Sequence, residues 1–205
     1  MIKNRSRAFL PAALLFLLMQ SVGVYAREGQ LAQHNSGSEN KEVGTSDPSL
    51  LTDNAYYSSL MQDLNQAKES IIIIMYLFKV SGHGSALPDH IVDALIKKHG
   101  QGVHITVVLN MDQKNAVHGR TDDIMEANLT VAKKLDNKGV KVYFDSPHRI
   151  THAKVIIIDK RIVYIGSHNF TQSALRYNHE VSIKIISPAV AQELINYTEV
   201  LTHER

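Results

Sequence analysis

Apolar positions along the chain fall into two kinds of run, and their alternation predicts the elements. Leu60, Met61, Leu64 and Ala67 recur at helical spacing and predict a helix over residues 55–69. The stretches 70–78 and 103–109 are instead continuous apolar runs rich in Ile and Val. They read as strands buried on both faces. Between them, Pro88 followed by Asp89 opens a helix that extends to about residue 99. A polar loop over 110–121 precedes a helix over 122–137, which ends before Gly139. Short strands follow at 141–144, 154–159, 162–166 and 180–186, and a helix over 188–201 begins at Pro188. Strands alternating with helices predict an α/β fold with one mixed β-sheet flanked by helices on both faces, in a single domain over residues 55–205. No internal repeat is evident.

The N-terminal part has a different pattern. Lys3, Arg5 and Arg7 precede a 12-residue apolar run over 8–19, and Val24-Tyr25-Ala26 then supplies the small or aliphatic residues that a signal peptidase reads. Residues 1–26 are expected to be a secretory signal, too short in their apolar run for a stable membrane span. The protein is therefore expected to be exported, to the periplasm or the medium of a bacterium. Residues 27–54 are polar, rich in Ser, Asn, Gly and Gln, and read as a flexible spacer. The formal net charge of +2 loses three cations with the signal, so 22 Lys+Arg against 20 Asp+Glu becomes 19 against 20. Net charge thus gives no argument for a polyanionic partner. Cysteine is absent, which excludes disulfides, thiolate metal sites and a cysteine nucleophile.

The chemistry is concentrated between His152 and Asn169. His152 and Lys154 lie two residues apart on one predicted strand, and Ser167 and Asn169 two apart at the end of the next, so each pair shares a strand face. The two pairs meet on one face if opposed residue numbers sum to an odd value, which requires a two-residue turn near Asp159-Lys160-Arg161. Imidazole, ammonium, hydroxyl and carboxamide, with no carboxylate cluster to hold Mg²⁺, suit a phosphoryl group. Lys154 and Asn169 would bind its nonbridging oxygens, Ser167 would donate to another, and His152 would attack phosphorus. No cofactor or metal is expected. Gathering His148, His168 and His179 with His152 into a zinc site fails because His168 faces away from Ser167 and Asn169 and no carboxylate completes a ligand set.

The pattern His152-x-Lys154-x4-Asp159-x6-Gly166-Ser167-x-Asn169 resembles the complete signature of the phospholipase D superfamily. Phe170-Thr171 and Asn178-His179-Glu180 are similar to its usual continuation. The resemblance extends from about Tyr56 to the last helix. It implies a phospholipase D-like fold and a phosphodiesterase working by double displacement through a phosphohistidine, with a second histidine protonating the leaving oxygen. It also implies that Glu180 orients the histidine ring. Asp159, although part of the signature, is expected to begin the turn and hydrogen-bond there.

The superfamily commonly carries two copies of the motif in a chain, and this sequence has one, as do small bacterial endonucleases. The resemblance therefore implies a homodimer with the active site on the two-fold axis. From residue 146 to 161, Arg149, Lys154, Lys160 and Arg161 stand against Asp159 alone, a local excess that would attract a polyanion backbone. Lys114, His118 and Arg120 in the polar loop are candidate substrate-binding residues. Nonspecific hydrolysis of DNA or RNA is the leading expectation. Hydrolysis of phospholipid headgroups and noncatalytic binding of nucleic acid are the alternatives.

Overall fold

The computed structural model describes residues 46–111 and 121–203. In chain order these form β1 (Ser46–Thr52), α1 (Asn54–Gln66), β2 (Ser70–Met75), α2 (Leu87–Gly100), β3 (His104–Leu109), α3 (Thr121–Asp136), β4 (Lys141–Phe144), β5 (Lys154–Ile158), β6 (Ile162–Gly166), α4 (Gln172–Arg176), β7 (Val181–Ile186) and α5 (Pro188–His203). The seven strands make one sheet in the order β1-β7-β6-β5-β2-β3-β4. Pairing is parallel among β2, β3 and β4 and antiparallel elsewhere. The predicted signal and the loop residues Lys114, His118 and Arg120 lie outside the described residues.

Side chains alternate across the sheet and build a core on each face. Ile71, Ile73 and Met75 of β2, Ile156 and Ile158 of β5 and Tyr164 of β6 pack with Leu60 and Leu64 of α1, Ile91 and Leu95 of α2, and Val131 and Leu135 of α3. Ile74, Val108, Val155, Ile157 and Val163 point the other way and are covered by Ala191 and Leu201 of α5. This is the mixed sheet with helices on both faces that the alternation of runs predicts.

The spacer was expected to extend to residue 54, yet residues 46–52 form strand β1, which pairs antiparallel with β7. Its composition is polar because it is an edge strand: the backbone ladder holds it, Leu51 packs against the core, and Leu50 is exposed.

The hairpin turn also differs from expectation. Val155 opposes Ile165 and Ile158 opposes Ile162, so Asp159, Lys160 and Arg161 form a three-residue turn. Asp159 and Lys160 take left-handed conformations, with φ of 50° and 53°, and the Arg161 amide donates to the Ile158 carbonyl at 3.1 Å. Continued past the ladder, this register sets Ser167 opposite Ala153, so the shared face inferred from a two-residue turn does not exist.

The cause lies outside the hairpin. A strand that is apolar on both faces specifies its register weakly through burial. Here the Asp159 carboxylate accepts the amides of Lys68 (3.0 and 3.1 Å), Glu69 (2.8 Å) and Ser70 (3.1 Å), and the Asp159 amide donates to the Ser70 carbonyl at 2.8 Å. Residue 159 is thereby committed to the β2 side, and the turn must begin with it. Asp159 sits at the far end of β5 from Lys154, about 16 Å away along an extended strand, and belongs to the frame rather than to the catalytic set.

Removing these charge-assisted bonds leaves three amides without their acceptor. Asp159→Ala is expected to lower the unfolding free energy by about 2 kcal/mol in urea titration. Asp159→Asn, which keeps one oxygen acceptor, is expected to lose less.

Candidate active site

The candidate site lies where β5 begins and β6 ends. The chain enters β5 through Thr151, whose buried amide donates to both Asn110 Oδ1 and Asp145 Oδ2 at 3.0 Å. Asp145 also accepts the Met111 amide at 2.6 Å. The fully buried Asn128 joins this cradle: its amide nitrogen donates to the carbonyls of Tyr76 (2.9 Å) and Asn110 (3.0 Å), and its oxygen accepts the Phe78 amide at 2.9 Å. The loops after β2, β3 and β4 are thus tied together just before His152. A polar residue directly after an apolar strand run was the available sequence signal for Asn110 and Asp145, but nothing local showed that they converge with Asn128.

His152 is exposed, whereas Lys154 is buried. Lys154 Nζ lies 3.1 Å from Nδ1 and 3.3 Å from Nε2 of His152 and donates to its carbonyl at 2.8 Å. Tyr76, which sequence analysis passed over as one more residue of an apolar run, forms the wall. Its ring centre is 4.4 Å from that of His152 and 4.9 Å from the ammonium, and its amide donates to the Ala153 carbonyl at 3.1 Å. Desolvation, reinforced by the Lys154 charge, lowers the His152 pKa. A protonated ring would place two cations within hydrogen-bond distance, so the neutral imidazole is favoured. Desolvation also lowers the Lys154 pKa, and the Glu180 carboxylate opposes that shift.

Ser167 joins this group through Glu180 and not through strand parity. Past Gly166 the Ser167 amide donates to the Val181 carbonyl at 3.0 Å, and its hydroxyl accepts the Val181 amide at 3.1 Å and donates to Glu180 Oε2. Asn178 donates to the other Glu180 oxygen at 3.1 Å. Gly166 is required for this close join: a Cβ there would lie 2.0 Å from Ser182 Oγ and 2.4 Å from Ser182 Cα. The resulting array runs His152, Lys154, Glu180, Ser167. Glu180 was expected to orient the histidine ring; in the single chain its carboxylate's hydrogen-bond partners are Ser167 and Asn178, and its charge acts on Lys154. No hydrogen bond joins the Asn169 side chain to this array; Asn169 Oδ1 is shielded from solvent and has no hydrogen-bond donor.

His168 is a structural histidine. It is buried, stacks on Tyr56 with ring centres 4.1 Å apart, and contacts Ser182 Oγ at 2.7 Å and the Asp53 carbonyl at 3.2 Å. Desolvation lowers its pKa, against the Asp53 carbonyl and the charges of Glu180 and Asp53.

A neutral histidine beside a cation at the end of a mixed sheet, in this sequence pattern, defines a member of the phospholipase D superfamily, a class of phosphodiester-bond enzymes. The family described as cardiolipin synthase, phospholipase D-like domain, matches residues 60–201, and the chain belongs to it. Among solved structures it is similar to Nuc from Salmonella typhimurium, a phospholipase D family member, with 26% identity and a TM-score of 0.61 over 77% of this chain and 96% of that one. NucT from Helicobacter pylori, at 20% identity and a TM-score of 0.59 over 78% of this chain and 98% of that one, shares the fold. A curated phospholipase D from Rickettsia typhi is 29% identical over 136 residues, 66% of this chain and 57% of the relative, so the chain spans a little over half the length of that protein.

The lowered pKa has a measurable sign. Titrated by NMR, the His152 ring is expected to protonate below the ordinary histidine value of about 6.5, and Lys154→Met to move the midpoint upward. Because the unfolded chain takes up protons that His152 and His168 resist when folded, stability is fully present above that ordinary value and declines as pH falls through it. A His152 midpoint above 6.5 contradicts the geometry.

Proposed function

We propose that the protein is an exported phosphodiesterase that hydrolyses nucleic acid without a metal ion. The observation that carries this reading is the array of His152, Lys154, Glu180 and Ser167 at one end of the sheet. His152 Nε2 or Nδ1 attacks phosphorus, forming the P–N bond as the P–O ester bond breaks, and the leaving oxygen takes a proton from a second histidine. Water then attacks the phosphohistidine, gives a proton to that second histidine's base form, and regenerates His152. Lys154 supplies the positive charge that opposes charge build-up on the nonbridging oxygens. Asn169, with its unpaired oxygen, and the loop residues Lys114, His118 and Arg120 are proposed to contact substrate.

Nucleic acid is favoured by the correspondence with nearly the whole length of Nuc and by Arg149, three residues before His152, whereas Lys160 and Arg161 lie in the turn at the opposite end of β5 and do not add to the charge at the site. The similarity to a rickettsial phospholipase D supports a second reading, hydrolysis of phospholipid headgroups. A panel of DNA, RNA and phosphatidylcholine, with His152→Ala as blank, separates them. Cleavage of nucleic acid that persists in excess chelator and disappears in the variant is expected; chelator-sensitive cleavage contradicts the proposal.

One motif supplies one nucleophile, so the second histidine is proposed to be the His152 of a second copy across a two-fold axis. The exposed apolar side chains of Ile150 and Val181 flank motif residues and suit such a contact. Sedimentation equilibrium is expected to give twice the chain mass at the concentrations that show activity. A fully active monomer overturns the dimer.

A further inference from the structure

Asp53 occupies the N-cap of α1 with φ 48° and ψ −126°, a backbone conformation suited to glycine and strained for any residue bearing a Cβ. Its side chain gives α1 no capping hydrogen bond, so the usual reason for an aspartate at this position does not apply. Its polar groups are turned instead on residue 180. The Asp53 amide donates to the Glu180 carbonyl at 3.0 Å, and Asp53 Oδ1 accepts the Glu180 amide at 3.0 Å. The Asp53 carbonyl accepts from His168 Nε2 at 3.2 Å and from the Tyr56 amide at 3.3 Å, which fixes the turn itself. Oδ2 lies 3.7 Å from Nδ1 of the fully exposed His179, a solvent-screened pairing that contributes little. Glycine would serve the turn better; what aspartate adds is an acceptor for the Glu180 amide.

We infer that Asp53 is a positioning residue of the phosphodiesterase site: it clamps the Glu180 backbone so that the carboxylate stands between Lys154 and Ser167. This rests on the function proposed above and adds to it a residue outside the segment 60–201 that the family match covers. The edge strand β1 has the role of delivering that residue, since it runs along β7 and ends at Thr52 opposite Val181. Loss of the Asp53 carboxylate leaves the bonds of Ser167 and Asn178 to the Glu180 carboxylate but removes the acceptor of the Glu180 amide, so the backbone that carries this carboxylate is held less firmly relative to Lys154. Displacement of a group on this scale lowers turnover more than substrate binding.

The test uses the full chain with bis(4-nitrophenyl) phosphate as substrate and compares wild type, Asp53→Gly and Asp53→Asn. Asp53→Gly is expected to reduce kcat at least about tenfold with KM within about threefold, while its Tm stays equal or rises because the strained φ is relieved. Asp53→Asn keeps Oδ1 and tolerates a positive φ, and is expected to restore kcat to within about threefold of wild type. Amide hydrogen exchange supplies a readout independent of turnover: the Glu180 amide is expected to lose protection in Asp53→Gly and keep it in Asp53→Asn. Wild-type kcat in Asp53→Gly, an Asp53→Asn protein as impaired as Asp53→Gly, or unchanged Glu180 protection in Asp53→Gly overturns the inference. A wild-type protein that turns over no phosphodiester sinks the proposed function instead, and the exchange measurement still reports whether Asp53 holds Glu180.

Discussion

Strand β5 lies between β2 and β6 with hydrogen bonds along both edges, and the placement of the reactive groups depends on that confinement. Val155 to Ile158 are buried on both faces, so the strand can neither tilt nor slide without exposing apolar surface on one side or the other. Its two ends carry opposite duties. The Asp159 end is anchored by a carboxylate on three amides, while at the Lys154 end the ladder stops and an ammonium meets an imidazole. Rigidity at one end is what allows an unfavourable juxtaposition of titratable groups to persist at the other.

The electrostatics follow the same layout. Lys154 is out of water, beside an aromatic ring and a neutral histidine, with Glu180 as the nearby carboxylate whose influence it shows. Because Glu180 also binds Ser167, one carboxylate links the segments on either side of the β6–β7 connection to the cation on β5. A phosphoryl group entering here would compete with His152 for the ammonium's donors. The contact between Lys154 and the ring thus fixes the direction in which the ammonium points.

Much of this was legible in the sequence because burial leaves local marks. The Ile-rich run of β2 and the 154–158 stretch could only be strands covered on both faces, and the placing of helices on both sides followed. The motif residues were identifiable by type and spacing. The turn was not, because the bonds that set its length connect Asp159 to amides some 90 residues away, and residue alternation within the hairpin carries no trace of them. Strand β1 was hidden for a related reason: an edge strand held by backbone bonds needs few apolar side chains. Tyr76 and Asn128 were invisible as site residues since each resembles its neighbours in the chain, and only folding brings Tyr76 to His152 and Asn128 to the carbonyls of Tyr76 and Asn110.

Gly166 shows what such a signature records. With a Cβ-sized space already filled by Ser182, the two positions share one allowance of volume across β6 and β7. The clash extends to Ser182 Cα, 2.4 Å away, so even glycine at 182 would not make room for a side chain at 166, and only a wider separation of the two strands would. The glycine of the motif therefore reports the spacing of two strands and not a step of the reaction. It would be retained in a descendant that had lost all catalytic power, provided the sheet still closed over Ser182.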